Sequence, residues 1–254
     1  MPLHEGVVYG PLRSRRLGWS LGINVLPPGR KVCSFNCVYC QYGWTESYRR
    51  SEAPDPDWPT PDDIAAALTE RLQEVAASHG PVDRLTLAGH GEPTLHPRFP
   101  EVVERLRDVR DACAPGARLA ILSNSTTAHE PGVRQALGRL DERYMKLDGG
   151  DADTIRRVNV SAVDFERLAS ALSELQDINI QTMFVRDARG LVDNTTPAAI
   201  EAWLRALARI RPREVQNYSL ARNPALARLE SVPADELRAI ASRVLALGIQ
   251  AYVF

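Results

Sequence analysis

The sequence predicts an α/β protein built on parallel strands, and three observations carry the prediction. Strand-like and helix-like segments alternate along the 254 residues, as in βαβ units whose crossovers make a sheet parallel. Counted from a strand over 20–26, the pattern gives six β/α repeats and a terminal strand. That is too few for a closed eight-fold barrel. A partial (βα)6 TIM-type barrel with parallel strands accommodates them, as does a doubly wound sheet. Finally, no low-complexity segment or linker divides the chain, so 1–254 reads as one domain with an N-terminal extension over 1–19.

The elements follow in order. The run SLGINVL (20–26) is the first strand, directly before a cysteine-rich loop over 30–43. A Pro/Asp-rich stretch over 53–63 ends with Thr60 as N-cap and Pro61 at the first helical position. An Ala/Leu-rich helix then runs to about Ser78, with apolar residues at helical spacing. Strands are expected over 83–89, 117–123, 143–148, 178–185, 214–219 and 249–254. Helices are expected over 100–113, 131–138, 164–175, 197–210 and 234–247.

Composition narrows the function. Hydrophobic residues make up 44% and charged residues 25%, enough to bury a core. A net charge of -1 gives no strongly basic surface dedicated to nucleic acid. No apolar run approaches membrane-spanning length and no basic segment leads into one, so the expected location is cytoplasmic. Basic residues total 31, of which only Lys31 and Lys146 are lysines.

The densest chemical signal is CSFNCVYC, which places Cys33, Cys37 and Cys40 within eight residues. Clustered thiols in a cytosolic chain point to metal or redox chemistry rather than disulfides. Three thiolates can hold three corners of a cubane cluster and leave the fourth iron open. The same spacing fits a structural zinc site completed by His79, His90 or His96. Cys113, at a predicted helix end, is expected to be a buried structural thiol.

In a parallel barrel, chemistry collects where strands end. The second strand runs into Gly89-His-Gly91-Glu92-Pro93-Thr94, where glycines permit close backbone approach and Glu92 offers a carboxylate to an ammonium group. The third ends in Ser123 and Asn124, suited to hydroxyls or a carboxylate, or to turn duty. The fourth ends in Lys146-Leu-Asp148, and alternation puts the lysine and the aspartate on one face. They read either as working groups or as a buried salt bridge. Gln181, Met183, Gln216 and Tyr218 share inward faces on later strands.

The CxxxCxxC pattern, with Tyr39 before its last cysteine, resembles the radical S-adenosylmethionine (SAM) superfamily signature. That resemblance implies one [4Fe–4S] cluster on Cys33, Cys37 and Cys40, whose open iron chelates the amino and carboxylate groups of S-adenosyl-L-methionine. It implies reductive cleavage of SAM to a 5′-deoxyadenosyl radical that abstracts hydrogen from a substrate. Tyr39 would then pack near the adenine. GHGEPT is similar to the superfamily's Gly-Gly-Glu element, with an extra residue, and implies that Glu92 binds the methionine ammonium.

The longer runs YGPLRSRRLGWSLGIN (9–24), KVCSFNCVYCQYG, AGHGEPTLHP and MKLDGGDADTIRRVN, with ARNP (221–224), resemble the wyosine-base (tRNA imidazoguanosine) synthase-like branch. In that branch the N-terminal arginines would lie near the substrate mouth. The chain departs from true wyosine synthases because no cysteine precedes Cys33 to bind a second cluster. The expected reaction is therefore on a small-molecule or modified-nucleoside substrate, with a reductant such as flavodoxin or ferredoxin; a tRNA partner is not favoured. Lys146 is the candidate Schiff-base lysine, made competent by a burial-lowered pKa. The competing readings are a glycyl-radical-enzyme activase acting on a protein partner and a non-catalytic Fe–S or zinc protein.

Overall fold

The computed structural model describes residue 3 and residues 6–14, 18–45 and 57–254. An antiparallel pair opens the chain, β1 (Val8–Ser14) and β2 (Gly18–Ile23). Next come α1 (Pro61–Ser78), β3 (Arg84–Leu87), α2 (Phe99–Cys113), β4 (Arg118–Ser123) and α3 (Pro131–Leu137). The chain continues through β5 (Glu142–Lys146), α4 (Ala152–Asn159), α5 (Phe165–Glu174), β6 (Ile178–Met183) and β7 (Val185–Asp187). It ends with α6 (Pro197–Ile210), β8 (Glu214–Tyr218), β9 (Leu229–Ser231), α7 (Ala234–Leu245) and β10 (Gln250–Val253).

The main sheet has the order β1-β2-β3-β4-β5-β6-β8-β10. Every pair from β2 onward is parallel, in sequential register from Ser20 opposite Arg84 to Asn217 opposite Val253. No ladder joins β1 to β10 among the described residues, so the fold is a partial barrel of the TIM type, as the alternating pattern predicts. Helix α1 begins at Thr60, whose hydroxyl accepts from the Asp63 amide while the Asp63 carboxylate accepts from the Thr60 amide. That reciprocal cap starts the helix where the sequence places it.

Strand alternation separates two chemistries. Leu21, Ile23, Leu85, Leu87, Leu119, Ile121, Ile178, Ile180 and Val215 face the helices and join one buried apolar core. The opposite face is polar: Ser20 pairs with Thr86 at 2.8 Å, and Gln181 donates to Gln216 at 2.9 Å. A barrel lined this way holds its inward side chains by hydrogen bonds rather than by apolar packing.

Some elements escaped the sequence reading. Strand β1 falls in the stretch read as an extension; Pro11 and Arg13 weaken its pattern, but an edge strand tolerates a residue with no N–H to donate. The pairing slips between Tyr9 and Leu12. Helix α4 follows a Gly149-Gly150 pair and is only eight residues long. The antiparallel β7–β9 ribbon has three residues per strand, below the length at which alternation speaks. Arg15 and Arg16 of the N-terminal run, and residues 53–56 of the Pro/Asp-rich stretch, lie outside the described residues.

Candidate active site

The cysteine loop is tied down at its ends and in its middle. Lys31 Nζ donates to the Gly43 carbonyl at 2.6 Å, closing the loop on itself. Val32 forms a parallel bridge with Gly91, and the Glu92 amide donates to the Val32 carbonyl at 3.0 Å. A Cβ on Gly91 would lie 1.7 Å from that carbonyl oxygen, and one on Gly89 would lie 2.1 Å from Asn24 Oδ1. These two glycines therefore serve the close approach of the cysteine loop and its neighbour to the end of β3. On the other side the Asn36 amide donates to the Asn159 carbonyl at 2.9 Å and the Val38 amide to the Val158 carbonyl at 3.0 Å. The last turn of α4 thus staples the loop on both sides of Cys37.

Glu92 is 2% exposed at the end of β3. Its Oε1 accepts from the Thr94 amide at 3.1 Å, the Thr94 hydroxyl at 2.6 Å and Ser123 Oγ at 2.9 Å. Its Oε2 accepts from the Asn124 amide at 2.5 Å, which leaves capacity for a further donor. Burial pushes the Glu92 carboxyl above its ordinary range, against the pull of those donors. Pro93 opens the 3-10 turn that Glu92 caps, and the Thr94 hydroxyl also meets Thr127 Oγ1. Asn124 reaches back to the loop, with Nδ2 2.9 Å from Ser34 Oγ and 3.5 Å from Cys33 Sγ.

A second group forms at the end of β5. Lys146 Nζ lies 3.1 Å from Asp148 Oδ1 and donates to the Tyr218 hydroxyl at 2.8 Å. It also sits over the Tyr39 and Tyr218 rings, 4.7 and 4.9 Å from their centroids. Asp148 Oδ1 accepts from the Met183 amide at 2.8 Å; Oδ2 accepts from Asn159 Nδ2 at 2.7 Å and from the Tyr39 hydroxyl. Asn159 Nδ2 is also 3.2 Å from Cys37 Sγ. One network therefore runs from lysine to cysteine.

The electrostatics correct one expectation. Burial alone lowers the Lys146 pKa, but the Asp148 carboxylate and Tyr218 outweigh it and hold the ammonium above the ordinary lysine range. Lys146 is thus a charged acid rather than a free amine. Burial is the first cause lifting the Cys33 thiol, with Cys37 next. Cys37 is pushed up to about 11 by burial and then by Asp148. Tyr39 is raised by burial, then by Asp148 and Cys37. Cys113 is corrected too: it is exposed, because it ends α2 and faces away from the core.

Among the described residues no three His, Cys, Asp or Glu side chains close on a single metal ion. Of the histidines weighed for zinc, His90 places Nε2 3.0 Å from the Pro27 carbonyl and His96 places Nε2 2.9 Å from the Pro59 carbonyl. His79 packs edge-on against Trp19. The donor set fits a group held by thiolates: two of the three sulfurs face amide donors, and buried thiols with raised pKa values favour deprotonation only beside positive charge. Sequence reasoning passed over Asn159 and the loop-closing role of Lys31; the RRVN run carried the first without marking it.

The Radical SAM superfamily matches residues 30–207, and the chain belongs to that superfamily. Its members work with S-adenosylmethionine and an iron–sulfur cluster, and the class is enzymatic. Within it, the chain is 32% identical over 218 residues to a UPF0026 protein of Synechocystis sp., covering 82% of this chain and 73% of that protein. A UPF0026 protein of Helicobacter pylori is 33% identical over 153 residues; the match spans 60% of this chain but only 46% of that one. A radical SAM methyltransferase from Sphaerobacter thermophilus shares the fold at a TM-score of 0.65 and 14% identity, over 92% of this chain and 65% of that one. Among the described residues no helix is long and apolar enough to cross a membrane.

Proposed function

We propose that the chain is a single-cluster radical SAM enzyme of the wyosine-base-synthase-like branch, acting on a small-molecule or modified-nucleoside substrate. The observation that carries this reading is the convergence of three strand ends on one cysteine loop. Glu92 and Asn124 meet it from one side; Lys146 and Asp148 meet it from the other through Asn159.

Cys33, Cys37 and Cys40 would hold the cluster, and the reduced cluster with bound SAM would supply the hydrogen-abstracting 5′-deoxyadenosyl radical. Every other role belongs to the protein. Glu92 would accept from the methionine ammonium, with Thr94, Ser123 and the Asn124 amide favouring the ionised carboxylate against burial and aiming it. Gly89, Gly91 and Pro93 set that turn. Tyr39, anchored through its hydroxyl, would present its ring beside the cofactor. Lys146 keeps its proton on Nζ, held by Asp148, and offers a positive charge to an anionic or carbonyl oxygen of the substrate. Asp148 is fully buried and Lys146 mostly so, which strengthens the attraction between them. Electrons come from a reductant such as flavodoxin or ferredoxin.

Titrating SAM into the anaerobically reconstituted protein tests this assignment. The wild-type chain binds SAM and perturbs the cluster's electron paramagnetic resonance spectrum. Equal SAM binding by wild type and Glu92→Ala would remove Glu92 from the cofactor site.

A further inference from the structure

We infer that Asn159 is a positioning residue which sets the reduction potential of the cluster through Cys37 and ties that potential to the Lys146–Asp148 pair. The inference deepens the reading above and rests on the cluster being held by the three cysteines.

The geometry is specific. Asn159 is fully buried at the last turn of α4. Its amide nitrogen has two hydrogens and two acceptors, the Asp148 carboxylate Oδ2 at 2.7 Å and Cys37 Sγ at 3.2 Å. The Tyr39 oxygen lies 3.3 Å from the same nitrogen. The Asp148 carboxylate also fixes the amide's orientation, because turning it over would set oxygen against oxygen. The reward is not local satisfaction, since Asn159 Oδ1 is buried with no hydrogen-bond partner among the described residues. A buried acceptor left unmet is costly, and it persists where the other end of the group is needed.

The backbone makes the contact rigid. Asn159 and Val158 offer their carbonyls to Asn36 and Val38, on either side of Cys37. Val160 then leaves the helix in a left-handed conformation, φ 47°. Side chain and loop are thus carried by the same short segment, and the Asp148 carboxylate holds the amide that reaches the sulfur.

The consequence follows from charge. Reduction adds an electron to a thiolate-bound cluster, and an N–H aimed at sulfur stabilises the reduced form more than the oxidised one. Removing that N–H therefore makes the cluster harder to reduce. Because one NH2 group serves both Cys37 and Asp148, a ligand that draws Lys146 away from Asp148 changes what the sulfur feels. Ligand binding at Lys146 and cluster potential are thereby linked.

The test is a redox titration of the full chain, reconstituted anaerobically and followed by electron paramagnetic resonance. Asn159→Leu keeps the heavy-atom count and branching and removes the donor; Asn159→Ala serves where the bulkier Leu does not fold. The expected result is iron and sulfide content equal to wild type with a midpoint potential shifted to more negative values. A fully loaded variant with an unmoved potential and spectrum overturns the inference and leaves the cluster reading intact. Loss of loading in both variants makes Asn159 a structural residue and overturns the inference as well. A wild-type chain that takes up no cluster overturns the underlying reading instead.

Discussion

Burying a carboxylate is costly unless donors meet it, and Glu92 is met by Thr94, Ser123 and Asn124 before any cofactor arrives. Glu92→Ala is expected to spare cluster loading and weaken SAM binding about 10-fold or more, the worth of one charge-assisted hydrogen bond; calorimetry on the loaded protein measures it. Asp148 is in a harsher position, with its side chain 0% exposed and Lys146 as its counter-charge. Lys146→Met strands that carboxylate and should cost about 3–5 kcal/mol of stability, read from urea unfolding of the cluster-free chain. The Lys146→Met/Asp148→Asn double variant should recover part of the loss. Thiol reactivity offers a third check at this scale. In the cluster-free chain exposed Cys113 should be alkylated first, and for Cys37 and Cys33 a raised pKa means less thiolate at a given pH. Cys37, at about 11, should react only as pH climbs toward that value, and Cys33 last. Peptide mass spectrometry of a pH series would show the order.

Elements matter here chiefly for what they bring to the cysteine loop. The end of β3 reaches it through Gly91, the end of β4 through Asn124, and α4 through its terminal carbonyls. Gly91→Ala drives a methyl into the Val32 carbonyl and should cost about 1–3 kcal/mol, with poorer cluster loading. Gly116→Ala meets nothing within 4 Å and should fall within about 0.5 kcal/mol of wild type. Thermal unfolding of the two variants side by side separates docking from a general glycine effect. The long elements were legible because α1 carries its cap and apolar stripe locally, and β3, β4, β5, β6 and β8 are separated by helices. Helix α4 was not, because its meaning lies in which carbonyls its last turn offers to a loop more than a hundred residues earlier.

Across the whole molecule, the open barrel concentrates polar groups on its inner face and apolar ones against the helices. That the cysteine loop and the Glu92 turn would lie together was legible in the sequence, because each follows the end of one of two successive strands. The place of Asn159 was not, since only the fold brings it to Cys37. The sign of the Lys146 shift also needed coordinates: burial and Asp148 pull oppositely, and the 3.1 Å contact decides. The central claim is that the chain, loaded with its cluster, reductively cleaves S-adenosylmethionine. Its most direct test is incubation of the reconstituted, reduced protein with SAM under anaerobic conditions, with Cys37→Ala alongside. The account predicts 5′-deoxyadenosine and methionine from the wild-type chain and neither from the variant. Zinc in place of iron at the three cysteines, with no 5′-deoxyadenosine formed, would contradict it.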